Sequence, residues 1–139
     1  MQKNYISLGL MSGTSGDGID ASLIISNGID SYESIKDKYF EYNQEIFKEI
    51  HGLKEKINNS KDIKKYSKEL LGLERKITIF HAKIVDEFSK KYDDFLVGFH
   101  GQTIFHNSKD KISKQLGDGK LLNQLVKKKI IFNFRNNDI

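Results

Sequence analysis

Four short segments of the 139-residue chain gather residue types that can do chemistry. The first is Met11 to Asp20, MSGTSGDGID, where Gly13, Gly16 and Gly18 let the backbone turn tightly and approach a ligand. Successive backbone N–H groups in such a turn can form a concavity for an anion, and Thr14 and Ser15 add hydroxyls. Asp17 or Asp20 could hold a magnesium ion, which prefers carboxylate, water and phosphate oxygens. No Gly-Lys-Ser/Thr follows, as a Walker A loop requires, and no GxGxxG opens a helix. On composition alone the segment also reads as an ordinary hairpin turn.

The second segment is Gly98 to His106, GFHGQTIFH, leaving the end of an apolar run. That is where open α/β sheets bind ligands. His100 and His106 lie six residues apart, which fits neither helical metal-ligand spacing, so hydrogen bonding to a polyhydroxy ligand suits them better than a metal. A polar loop whose histidines satisfy backbone groups is the plainer alternative. The third and fourth segments are Gln115 to Gly119 (QLGDG) and Asn133 to Asp138 (NFRNND). Within the fourth, Arg135 could clamp a carboxylate or phosphate, and Asp138 could accept a proton as a general base.

The elements that must position these segments are legible in outline. Tyr5 to Leu10 is an apolar run of strand length. Ile19, Ala21, Leu23 and Ile25 alternate with Asp20, Ser22 and Ile24, which predicts a second strand. Asn27-Gly28 then marks a turn, and an extended stretch over residues 31–42 completes an antiparallel meander. Phe47, Ile50, Leu53 and Ile57 follow a helical period. Ser60 is an expected N-cap for one long helix carrying Ile63, Tyr66, Leu70, Leu73, Ile77, Phe80, Ile84 and Phe88. Phe95 to Phe99 reads as a strand buried on both faces. A polar stretch runs to Gly119, a short helix is expected around residues 120–128, and Ile130 to Phe134 reads as a last buried strand. The expected order is β-β-β-α-α-β-α-β in a single domain over residues 1–139, an α/β fold with a mixed sheet.

Composition narrows the function classes. The net charge of +4 comes from 23 basic against 19 acidic residues, and all the basic ones except Arg75 and Arg135 are lysine. Nucleic-acid readers favour arginine for bidentate contacts, so no nucleic-acid partner is expected. The absence of cysteine rules out disulfides, thiolate metal sites and a cysteine nucleophile. No apolar run reaches the roughly 20 residues needed to span a bilayer, and no signal-peptide core follows Met1. A cytoplasmic protein with no membrane partner is the expectation.

Taken in order, MSGTSGDGID, GFHGQTIFH, QLGDG and NFRNND resemble the anhydro-N-acetylmuramic acid kinase family, whose pattern is close to MSGTSLDGID, GxHGQTxxH, QxGD and DFRxxD. The resemblance runs from Leu8 to Ile139. It implies a ribonuclease H-like nucleotide-binding lobe of the sugar-kinase/Hsp70/actin type. It also implies an ATP- and Mg2+-dependent enzyme of cell-wall recycling. Such an enzyme opens 1,6-anhydro-N-acetylmuramic acid with water and phosphorylates O6, giving N-acetylmuramate 6-phosphate.

By that likeness Gly13, Thr14, Ser15, Gly16, Asp17, Gly18, Ile19 and Asp20 hold the ATP phosphates, with Asp17 on the metal. Asp138 is the base, and His100, Gln102, Thr103 and Arg135 lie near the sugar. Three departures stand out: Gly16 replaces the usual leucine, Asn133 replaces the first aspartate of DFRxxD, and a GGQGAPL-like segment is absent. The chain is therefore expected to be the N-terminal lobe of a two-lobe kinase, either as a truncated gene product or as one half of a split enzyme whose partner is a separately encoded C-terminal lobe or a second copy in a homodimer. The alternatives are an inactive remnant, or a non-catalytic binding module using its lysines.

Overall fold

The structure, a computed structural model, describes residues 4–132. The three amino-terminal runs form β1 (Tyr5–Met11), β2 (Gly18–Ser26) and β3 (Tyr32–Glu41). They pair antiparallel in sequence order, with Leu8 opposite Leu23 and Leu10 opposite Ala21. Asn27 closes the β2–β3 turn, because its Oδ1 accepts the N–H groups of Ile29, Asp30 and Ser31 at 2.9, 3.1 and 3.2 Å.

Helix α1 (Gln44–Lys56) starts at Asn43, whose side chain accepts the Ile46 N–H at 2.9 Å. Its buried stripe is Ile46, Ile50 and Leu53. Phe47 is instead 36% exposed, one position off the stripe expected of it. The single long helix expected from residue 60 is two, α2 (Ser60–Lys65) and α3 (Ser67–Ser89). The N-cap of α2 is Asn59 rather than Ser60, since the Asn59 side-chain Oδ1 accepts the Asp62 N–H at 3.1 Å. Helix α2 has no fully buried residue, although Ile63 packs partly buried against the core, and the chain bends at Tyr66 (φ −102°, ψ 22°).

After α3, β4 (Leu96–Phe99) runs parallel to β1, with Leu8 beside Val97 and Leu10 beside Phe99. Its burial alternates: Val97 and Phe99 are buried, Leu96 and Gly98 half-buried. The stretch expected to be an irregular polar loop is a hairpin, β5 (Gln102–Asn107) and β6 (Ile112–Leu116). Asn107 turns it by accepting the Lys109 and Asp110 N–H groups. Helix α4 (Gly119–Val126) and β7 (Ile130–Ile131) follow. Strand β7 is parallel to β4 at the sheet edge, and Ile131 is 42% exposed, so this strand is not a buried one.

The main sheet has the order β3-β2-β1-β4-β7 and is mixed. One face presents Leu8, Leu10, Ile19, Ala21, Leu23, Val97 and Phe99 to the buried stripes of α1 and α3. Burial of each large aliphatic side chain contributes roughly 1.5–3 kcal/mol. This is the expected α/β class, consistent with a lobe of the sugar-kinase/Hsp70/actin type. The element order is β-β-β-α-α-α-β-β-β-α-β rather than the simpler one read from the sequence. Among the described residues no helix is long and apolar enough to cross a membrane.

Candidate functional site

Because β1 and β4 are parallel neighbours, their carboxyl ends open at the same edge of the sheet. The Met11–Gly18 turn leaves one and the His100–Thr103 segment leaves the other, with the His100 N–H donating to Leu10 O at 3.5 Å. The ends of parallel strands are where open α/β sheets take ligands.

The turn is held from three sides. Gly16 has φ +72° and its N–H donates to Gly13 O at 3.3 Å. A Cβ there would lie 2.8 Å from Ile50 Cγ2 of α1, so glycine is required both by conformation and by space. From the end of β3, the Tyr42 N–H donates to Asp17 O at 3.0 Å. From the far side, Gln102 Nε2 donates to Gly13 O at 2.8 Å and to Thr103 O at 3.1 Å.

Those two carbonyl acceptors fix the orientation of the Gln102 amide, so its Oε1 is the atom that accepts the Tyr42 hydroxyl at 3.0 Å. With its one proton committed there, Tyr42 accepts from Ser12 Oγ at 3.3 Å. Tyr42 is 5% exposed, and burial pushes its phenol up to about 12, against the smaller lowering by Ser12. The hydroxyl therefore stays protonated and serves as a fixed donor.

The Gln115–Gly119 segment supports the same edge from behind. Gln115 Nε2 donates to Thr103 Oγ1 at 3.2 Å. The Gly117 N–H reaches Glu74 Oε2 and the Asp118 N–H reaches Thr78 Oγ1, both at 3.0 Å. Asp118 caps α4 by accepting the Leu121 N–H at 3.0 Å. Gly101, at φ +83°, lets this segment close on the β4 exit, since a Cβ there would stand 2.8 Å from Leu116 O.

The sequence model of the anhydro-N-acetylmuramic acid kinase family matches residues 4–139. This chain belongs to that family. It is 57% identical over 141 residues to the anhydro-N-acetylmuramic acid kinase of Pelagibacter ubique (strain HTCC1062), covering 100% of this chain and 38% of that protein. It is 32% identical to the enzyme of the same name from Agrobacterium fabrum and 31% to that from Gluconobacter oxydans, each over 95% of this chain and 37% of the relative. The chain thus spans under two-fifths of the length of these curated relatives.

The family's motif residues fall into distinct layers. Gly13, Thr14, Ser15 and Asp17 lie exposed along the rim of the turn, whereas Gly16 and Gly18 are buried beneath it. Ile19 is fully buried in the core, so its side chain anchors the turn from below. Asp20 is exposed on β2, opposite Met11 and Tyr39. Gln102 is fully buried and Thr103 6% exposed, their polar atoms bonded within the protein, while His100 is half-buried with Nδ1 3.2 Å from Gly101 O. Asn133, Arg135 and Asp138 lie outside the described residues.

A magnesium ion fits this donor set. Among the described residues no group of three potential ligands clusters, but magnesium bound with phosphates needs only one or two carboxylates beside water. The Asp17 side chain is 55% exposed and the His51 Nε2 atom stands 3.9 Å from its Oδ1, leaving carboxylate oxygen for such an ion. The Tyr39 phenol is raised, first by desolvation and then by Asp17, Glu41 and Asp20.

Sequence reasoning missed Tyr42, His51 and Lys54. Tyr42 looked like one more aromatic at the end of a strand. Only the register that sets Gly18 opposite Glu41 brings the next residue against the turn. His51 and Lys54 lie beside the apolar stripe of α1, outside the four motif segments.

Proposed function

We propose that this chain is the N-terminal lobe of an anhydro-N-acetylmuramic acid kinase acting in the cytoplasm, in cell-wall recycling. A second lobe completes the cleft. The rim residues Gly13 to Asp17 receive the phosphates of ATP, backed by Gly18, Ile19 and Asp20. Asp17 would hold Mg2+, which supplies charge neutralisation at the phosphates. His100 faces the sugar, with Gln102 and Thr103 fixing the backbone behind it and Arg135 supporting an anionic group. The observation that carries this reading is the bond between Gln102 and Gly13, which joins the two longest family motifs into one edge.

In this reading Asp138 takes a proton from water as its oxygen attacks the anomeric carbon. The bond from that carbon to O6 breaks, and O6 attacks the γ-phosphorus with departure of ADP. The protein's part in the phosphoryl step is positioning and charge stabilisation.

Co-expression with the C-terminal portion of the Pelagibacter ubique relative provides the test. With ATP, Mg2+ and 1,6-anhydro-N-acetylmuramic acid, the assembled pair should yield N-acetylmuramate 6-phosphate. A stable assembled pair without turnover contradicts the proposal.

A further inference from the structure

Helix α1 brings two basic side chains to the flank of the Met11–Gly18 turn. Lys54 donates from Nζ to the carbonyl oxygen of Thr14. One helical turn earlier, His51 Nε2 faces Asp17 Oδ1 at 3.9 Å. That nitrogen is buried and has no hydrogen-bond partner among the described residues. The imidazole packs against the Phe47 ring, with centroids 4.1 Å apart and the planes tilted by 42°. Gly16 is what lets the helix come so close: a Cβ there would meet Ile50 Cγ2 at 2.8 Å and His51 Nε2 at 3.5 Å.

The side chains of the turn are hydroxyls and a carboxylate, so the turn carries no positive charge of its own. A triphosphate end brings several negative charges and needs cationic donors beside the backbone N–H groups. An ammonium has three donor hydrogens and no acceptor. The bond to Thr14 uses one of the three on Lys54 and leaves two for a ligand, at the rim where Thr14 and Ser15 are exposed.

We propose that Lys54 is a phosphate-binding residue of this site, its ammonium held at the turn by Thr14 and meeting the terminal phosphate of a nucleoside triphosphate. This rests on the reading of the turn as the phosphate site, and it adds a ligand from a helix that none of the four family motifs includes.

The test is an amide NMR titration of the chain with magnesium and inorganic triphosphate, comparing the wild type with Lys54→Met, Lys54→Arg and Lys56→Met. Lys56 is the control, because its Nζ lies over the Tyr66 ring, 5.8 Å from the centroid. The wild type and Lys56→Met should shift the amides of residues 13–17 with the same affinity. Lys54→Met should bind about tenfold more weakly, equivalent to about 1.4 kcal/mol, and Lys54→Arg should recover most of the loss. Unchanged affinity in Lys54→Met overturns the role of Lys54 and leaves the phosphate reading of the turn standing. A loss in Lys54→Met accompanied by a lowered melting temperature and displaced amides without ligand marks a structural strut and also overturns it. A wild type whose turn amides do not respond overturns the phosphate reading itself, and this assignment with it.

Discussion

Gln102 Nε2 donates to the carbonyl oxygen of Gly13 at 2.8 Å, across 89 residues of sequence. The same amide accepts the Tyr42 hydroxyl at 3.0 Å, so one buried side chain joins the β1 exit, the β4 exit and the end of β3. A turn that is free to move cannot preorganise N–H groups for an anion. Here both its carbonyl and its neighbours are tied to rigid strands.

Removing one hydroxyl tests that arrangement. Tyr42→Phe leaves Gln102 Oε1 buried without its donor and Ser12 without its acceptor. An unsatisfied buried polar group costs about 1–3 kcal/mol. Urea denaturation should show stability reduced by that amount, seen as a lower midpoint with an unchanged slope.

Charge at the same position should be worse than absence. In Gln102→Glu, carboxylate oxygens replace an Nε2 that donates to the carbonyls of Gly13 and Thr103. The folded state raises the pKa of the new acid, because only the protonated form can donate. Its stability relative to Gln102→Met should therefore be greatest in acid and be lost as pH rises through that raised value. Denaturation midpoints of the two variants between about pH 4 and about pH 8, a range that spans a raised carboxylate titration, read this directly.

The meander and the helical period of α1 and α3 were legible because each has a clear apolar spacing. Leu8, Leu10, Ile19, Ala21 and Leu23 are in the core as their alternation requires. The β5–β6 hairpin was not legible, since Gln102, Thr103 and Ile104 are buried consecutively and give no period of two. The bend at Tyr66 was hidden for a different reason. Ile63 and Tyr66 keep the helical spacing although α2 itself has no fully buried residue. At the candidate site the rim and its glycines were visible as motifs. Tyr42, His51 and Lys54 were not, because their roles arise from register and helix packing rather than from local composition.

Two glycine replacements should move stability in opposite directions. Gly101 sits at φ +83° with Leu116 O 2.8 Å from a prospective Cβ, so Gly101→Ala should cost roughly 1–3 kcal/mol. Gly72 lies in α3 with nothing within 4 Å of its prospective Cβ, so Gly72→Ala should stabilise by roughly 1 kcal/mol. Thermal unfolding of both variants beside the wild type checks the pair.

Stability should also fall in mild acid through one core residue. His81 is fully buried, edge-on to Phe99 at 4.7 Å, with Nδ1 2.7 Å from Ile77 O. Burial pushes its pKa down from 6.5 to about 4, against the smaller raising by the Ile77 carbonyl. The unfolded chain therefore binds a proton that the native chain refuses. The stabilisation is complete above about pH 6.5 and is lost as pH falls toward about 4, on the order of 3 kcal/mol in all. His81→Phe should flatten that part of the pH profile, measured as the difference between the two proteins.

The most direct measurement follows the amides of Gly13, Gly16, His100 and Gly101 while the labelled chain is titrated with 1,6-anhydro-N-acetylmuramic acid in the presence of ATP and Mg2+. A single edge used for one reaction predicts that all four shift together and saturate on one curve. Shifts confined to one of the two segments, or absent from both, would contradict it.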